Sequence, residues 1–259
     1  ILNEQLVEQS LTVVKNKENI IPITNLKKKI GYLSFGNDSG EYFFSYLNKY
    51  SKVDELINVN LENSYNIISE YNTIIIGVHA NSKTPWKSYK INKKEINLIN
   101  HIAKKVDVII NVFGSPYTLK PFKSIRPIKG VIVSYQNSRI FQQKSAQLIF
   151  GALNSNGALP VSVGKLFDVG DGIKIKQINR LSYGTPESVS MSSIKLRKID
   201  SLANIAIDSL MTPGLQLLIA KDGRVIYDKN FGYLTYDKKT KVKNNTIYDL
   251  ASLTKILVT

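Results

Sequence analysis

Five short runs that are apolar almost from end to end, at 30–35, 56–59, 73–78, 106–112 and 130–134, alternate with segments whose apolar residues recur at helical spacing. A half-exposed strand alternates apolar and polar side chains, whereas a strand that is apolar throughout has to be covered on both faces. The cover comes from the segments in between: 41–49, 62–71, 92–104 with Leu98, Ile99 and Ile102 on one face, and 138–153 with Phe141, Leu148, Ile149 and Ala152 aligned. This pattern predicts an α/β fold built on a doubly wound, mostly parallel sheet. A leading helix over 1–14 and a closing strand over 159–163 complete the expectation. Sheets of this type take ligands beyond the carboxyl ends of their strands.

Past Gly164 the alternation dissolves into Gly170, Gly172, Gly184 and Pro186 among polar residues. The sequence therefore divides into an α/β domain at 1–164, a linker at 165–191 and a second module at 192–259. That module opens with a helix over 192–210, capped by Ser192 or Ser193. Two strand-like runs follow, 215–220 and 225–227, joined by Lys221-Asp222-Gly223-Arg224, where Asp-Gly signals a hairpin. So short a module is expected to be a truncated α+β segment, because a hairpin needs further strands to be stable. With Ile1 first and an apolar end at Ile256, Leu257 and Val258, the chain reads as a segment of a longer protein.

Composition narrows the chemistry. Lys and Arg number 35 against 20 Asp and Glu, a net charge of +15. Only five of these cations are Arg, and the densest excess, eight cations against Asp107 in 101–150, is spread over several elements. This argues for a solvated Lys-rich surface and against nucleic acid as a partner. The absence of cysteine excludes a thiolate nucleophile, a thiolate zinc site and disulfides. With His79 and His101 the only histidines, no metal or other cofactor is expected. No apolar run approaches the ~18 residues of a membrane span.

The tetrad Ser252-Leu253-Thr254-Lys255 carries the most chemistry. On a helix beginning near Ser252, residues three apart share a face, which brings the Lys amine within reach of the Ser hydroxyl. A serine becomes a good nucleophile when a base takes its proton. A surface lysine after a capping serine is the plain alternative for so short a motif.

The stretch from Pro213-Gly214-Leu215 to Ala220-Lys221-Asp222-Gly223, then Phe231-Gly232-Tyr233, then Thr246-Ile247-Tyr248-Asp249-Leu250-Ala251-Ser252-Leu253-Thr254-Lys255, resembles the opening of the serine β-lactamase and penicillin-binding-protein superfamily, in its class C and esterase-like branch. The resemblance implies Ser252 as acylated nucleophile and Lys255 as general base. The family's Tyr-x-Asn and Lys- or His-Thr-Gly elements do not follow Lys255 in this sequence, and Tyr46-Leu47-Asn48 lies in the wrong module.

Residues 1–164 resemble the C-terminal α/β domain of glycoside hydrolase family 3. The resemblance rests on Ser10-Leu11-Thr12-Val13-Val14-Lys15-Asn16, Phe113-Gly114-Ser115-Pro116-Tyr117 and Gly157-Ala158-Leu159-Pro160-Val161. It implies a bifunctional hydrolase of β-N-acetylglucosaminidase type, with an N-terminal TIM barrel and the remainder of the serine hydrolase domain as partners. A carbohydrate or amino-sugar substrate and export to the periplasm or surface of a bacterium follow from the same likeness. Glycoside hydrolysis generally uses two carboxylates, and Asp38, Glu41, Asp54, Glu55 and Asp107 read instead as capping or solvated groups. His79, just past an apolar run, Trp86 and Tyr117 are the candidate substrate contacts, and His101 reads as structural. The alternative function is a non-catalytic carbohydrate-binding or scaffold module with a vestigial Ser-x-x-Lys element.

Overall fold

The computed structural model describes residues 2–80 and 90–258, which divide into two compact units, Leu2–Arg180 and Leu181 onward. In the first, helix α1 (Leu2–Ser10) precedes strand β1 (Thr12–Asn16). Then β2 (Ile30–Gly36), α2 (Glu41–Leu47), β3 (Val53–Glu55), α3 (Ser64–Ile68) and β4 (Thr73–His79) follow, and after them α4 (Lys93–Ala103), β5 (Asp107–Phe113), β6 (Gly130–Val133) and α5 (Arg139–Ile149). The six strands lie in the order β1-β6-β5-β4-β2-β3. All neighbours are parallel except β1, which runs antiparallel to β6 at one border.

Both faces of this sheet are dry. Ile74, Ile76 and Val78 of β4 join Val108, Ile110 and Val112 of β5 on one side, against Ile96, Ile99 and Ile102 of α4. Ile75 and Ile109 point the other way, toward Phe43 and Leu47 of α2 and Leu148 and Ile149 of α5. Each such side chain contributes about 1.5–3 kcal/mol by leaving water, which is why the apolar runs fall on the central strands.

The borders depart from the sequence expectation. The pattern at 1–14 predicts one helix, yet the chain turns after Ser10 and Thr12-Val13-Val14, β-branched throughout, pairs with β6. At the opposite border β3 occupies Val53–Glu55 rather than 56–59, with Val53 buried opposite Ile30 and the acids held at the sheet's rim. Leu56 and Val59 pack on the core as loop residues. Residues 159–163 form no strand: Pro160 lacks an amide donor, and Leu159 and Val163 are buried from a loop. Residues 165–180, expected within a linker, are bonded into this unit through Val163 N–H to Phe167 O, Ile173 N–H to Val13 O and Ile178 N–H to Gly151 O. Arg180 closes the unit by donating to the carbonyls of Ile23 and Phe150 at 2.7 Å and of Thr24 at 2.9 Å.

In this strand order the direction of winding reverses between β2 and β4, the place where such sheets usually open a ligand crevice. Here it is filled. The His79 ring, fully buried, stacks on Phe113 at 4.6 Å and hydrogen-bonds Tyr32 Oη at 2.8 Å and Asn137 Oδ1 at 2.7 Å. A Cβ at Gly40 or Gly77 would collide with His79 Nε2, and Gly40 also has φ +68. The hydrogen bonds fix the ring's protonation from a distance. Phe43 N–H donates to Gln142 Oε1, so Gln142 Nε2 is left to donate to Asn137 Oδ1. Asn137 therefore presents an acceptor, His79 carries its proton on Nδ1, and Nε2 accepts from Tyr32. The expectation that His79 touches substrate is corrected: it is at the ligand end of the strand but turned into the core.

The second unit is smaller. Strands β7 (Ser182–Tyr183), β8 (Gly214–Lys221) and β9 (Arg224–Gly232) form a sheet in the order β7-β9-β8 under helix α6 (Ser193–Asp208). Ser192 caps α6 by accepting from Lys195 N–H, as the sequence predicts. Asp222 and Gly223, both with positive φ, make the expected tight hairpin. Its core is Val189, Leu196, Ile226 and Tyr227. Asp200 of α6 accepts from Tyr227 Oη and Lys229 Nζ, both at 2.7 Å, and burial with this bond pushes the Tyr227 pKa up to about 12.

Two consequences are measurable. Lys144 of α5, 3% exposed, reaches Glu4 at 2.5 Å and Glu8 at 2.6 Å on α1; Lys144→Ala removes the cation beside the buried Glu4 and is expected to cost about 3–5 kcal/mol in urea unfolding of the first unit. Burial also holds the His79 pKa below its ordinary 6.5. Below that pH the unfolded chain binds a proton that the folded chain does not, so stability falls on acidification, by up to about 1.4 kcal/mol per pH unit. His79→Gln is expected to remove that part of the pH slope, and an unchanged slope between pH 7 and pH 5 contradicts the assignment.

Candidate functional site

Three groups of side chains carry candidate chemistry, and the two units are best taken separately. In the first, Tyr117 follows β5 on a short 3₁₀ turn, Pro116–Leu119, whose start is capped by Ser115 Oγ accepting from Tyr117 N–H. Its ring is 53% exposed at the carboxyl end of the sheet, where a flat apolar face with a polar tip suits a sugar ring. Trp86 lies outside the described residues. A recess of about 540 Å³ opens past the carboxyl end of β2, with Phe35, Val59, Leu61 and Leu98 as its apolar wall and Lys94 and Glu95 at its polar side. Glu95 is not a loose carboxylate there, since it closes a capping box with Asn92 at the start of α4.

Three other carboxylates of this unit are bonded within it. Asp38 accepts from Gly40 N–H at 3.0 Å, Asp54 from Tyr71 Oη at 3.3 Å, and Asp107 pairs with Lys129 at 2.7 Å. Their sequence reading as capping or solvated groups matches these bonds. His101 sits within α4, half-buried. Among the described residues no group of three or more His, Asp or Glu side chains converges in a way that would hold a metal.

In the second unit, Asp249 Oδ1 accepts from Ala251 N–H at 2.9 Å, a turn that holds Ala251 at φ +44. A residue with a Cβ adopts that conformation at a cost of roughly 1–2 kcal/mol. Ser252 follows at once, inside the 3₁₀ turn Ala251–Leu253, and helix α7 (Thr254–Val258) continues from it. The helix starts two residues later than the tetrad suggests, but the three-residue spacing still brings the pair together: Lys255 Nζ donates to Ser252 Oγ at 3.5 Å. Both side chains are exposed. The arrangement therefore sets a serine hydroxyl beside a lysine amine, directly after a residue held at positive φ. The sequence reading places Asp249 and Ala251 within the motif without assigning this turn, although Asp commonly accepts from the amide two residues on.

Comparison with known proteins distinguishes the two units. The α/β fold is shared with a fungal multi-domain GH3 β-N-acetylglucosaminidase that bears a GCN5-related glucosamine N-acetyltransferase region. The TM-score is 0.53 at 22% identity, covering 65% of this chain and 19% of that one; at this identity the likeness is one of fold. Residues 203–259 match the Beta-lactamase family. Two curated relatives, from Salmonella enteritidis PT4 and Salmonella gallinarum and each provisionally named a D-alanyl-D-alanine carboxypeptidase, are 35% identical over 86 residues. The match takes in 30% of this chain, which spans about a fifth of the length of those relatives. The chain thus joins an α/β unit with the fold found in glycoside hydrolase family 3 enzymes to a segment, residues 203–259, that matches the Beta-lactamase family.

Proposed function

We propose that this chain is part of a bifunctional hydrolase. In it the second unit supplies the nucleophile and base of a serine acyl-transfer site, and the α/β unit supports a glycosidase acting on amino sugars of cell-wall or chitin type. The observation that carries the first half is the Ser252–Lys255 pair at 3.5 Å within a segment that matches the Beta-lactamase family. Ser252 Oγ attacks the substrate carbonyl carbon while Lys255 Nζ takes the hydroxyl proton. The tetrahedral adduct collapses to an acyl-serine as Lys255 returns the proton to the leaving group. Water, deprotonated by the same amine, then releases the acid and restores Ser252. The D-alanyl-D-alanine name of the relatives supports a peptide or ester of that kind as acyl donor, and such a substrate calls for export. No helix among the described residues is long and apolar enough to cross a membrane.

For the glycosidase half, the filled crevice at His79 and the bonded states of Asp38, Asp54 and Asp107 support a non-catalytic role for the α/β unit. Tyr117 and the recess beside Phe35 are its proposed contacts with sugar or with a catalytic barrel. A scaffold function for the second unit is the competing reading, and the exposure of both Ser252 and Lys255 favours it.

Fluorophosphonate labelling of the protein purified from its own cells, followed by peptide mapping, separates the two. The acyl-transfer reading expects an adduct on Ser252, none in Ser252→Ala, and labelling slowed by roughly 10²–10⁴-fold in Lys255→Ala. A wild-type protein that takes up no label at Ser252 is a scaffold in this unit.

A further inference from the structure

All five parallel strands begin on one edge of the sheet. Ile30, Val53, Thr73 and Asp107 are level with one another, Gly130 is level with Ile109, and the antiparallel β1 ends on the same edge with Asn16 opposite Gly130. The sequence loads this edge with lysine. Lys27-Lys28-Lys29 leads into β2, Lys52 into β3, Lys104-Lys105 toward β5 and Lys129 into β6, while Lys17 follows β1. Lys15 Nζ donates to the carbonyls of Ile125 at 2.6 Å and Arg126 at 3.2 Å, which draws the exposed Arg126 onto the same edge.

Acids on the same edge pair with part of this charge: Glu70 with Lys29, Asp54 with Lys52 at 4.0 Å, Glu18 with Lys17 at 3.4 Å, and Glu18 and Asp107 with Lys129. Lys27, Lys28, Lys104 and Lys105 remain exposed, beyond these pairs. On the carboxyl edge, by contrast, Asp38, Glu41, Glu62 and Glu95 stand among Lys90, Lys93, Lys94, Lys120 and Arg139, a smaller excess. The amino-terminal edge therefore carries the larger share of the unit's positive charge. Six strands spaced about 4.8 Å apart give the basic edge a length of about 24 Å. A recess of about 230 Å³ opens on it between Lys28 and Lys129, but Glu18 and Asp107 line it too and hold Lys129, so the exposed lysines around it, not the recess, offer the free charge.

We propose that this amino-terminal edge is a docking strip for a linear phosphate-bearing polyanion, bound through its phosphates. Lysine presents a point charge without the planar fork that reads bases. Two tyrosine rings of this edge lie under lysines, Tyr71 under Lys29 at 4.7 Å and Tyr65 under Lys105 at 5.9 Å, so a cation already occupies one face of each.

Long-chain inorganic polyphosphate is the probe, with binding to the whole chain followed by fluorescence anisotropy at several salt concentrations. Contacts to about six phosphates predict an affinity loss of roughly 10³-fold between about 50 and 200 mM salt. The variant K27E/K28E/K105E is expected to weaken binding at least about tenfold at low salt and to lower the salt slope by about two to three. K238E/K239E/K243E, with the same charge change on exposed lysines of the second unit, is expected to leave affinity within about twofold. Equal losses in the two variants would reduce the effect to net charge and overturn the proposal. So would single-stranded DNA outcompeting polyphosphate, which signals base recognition, or binding to anionic lipid vesicles without binding to polyphosphate.

Discussion

The α/β unit depends on covering two faces of the same two strands. β4 and β5 have no side chain directed to water except at their ends, so every helix that follows or precedes them is obliged to bring an apolar stripe to one face or the other. Right-handed crossovers then dictate which helix goes to which side. Once both faces are closed, polar groups caught between sheet and helix have to find one another. The Tyr32–His79–Asn137–Gln142 chain is the result on the α2 and α5 side. The Asn111–Ser134–Ser145 contacts, at 3.0 and 2.7 Å, are a second case on the same side.

The parts of this fold that sequence makes legible are those where a single strong pattern decides. Runs at 73–78 and 106–112 become β4 and β5 within a residue because burial on both faces leaves no other periodicity. The hairpin at Asp222-Gly223 is equally local, since only a tight turn favours positive φ at both residues. Legibility fails at the borders. β3 has one neighbour and a rim of acids, so Val53 alone marks it. β1 follows α1 with a single intervening residue, and its apolar spacing blends into the helix before it.

Candidate sites divide the same way. Ser252 and Lys255 are three residues apart, and spacing alone predicts their meeting. His79 meets partners 47 and 58 residues away, so its position after a strand was visible but its inward turn was not. The lysines of the amino-terminal edge show a third case: each pair is unremarkable in the sequence, and only parallel topology gathers them on one line. Charge counted over 101–150 therefore underestimates a feature whose members extend from Lys17 to Lys129.

The two units also differ in how they are tied off. The second is held by a small core around Val189, Leu196, Ile226 and Tyr227, whereas the first ends in a guanidinium that grips the carbonyls of Ile23, Thr24 and Phe150. Those carbonyls belong to two segments more than a hundred residues apart in the chain. Arg180 thus works as a buckle. Mechanical load arriving along the backbone from residue 181 is divided between the loop before β2 and the end of α5, and the strands of the sheet are spared being peeled from one side.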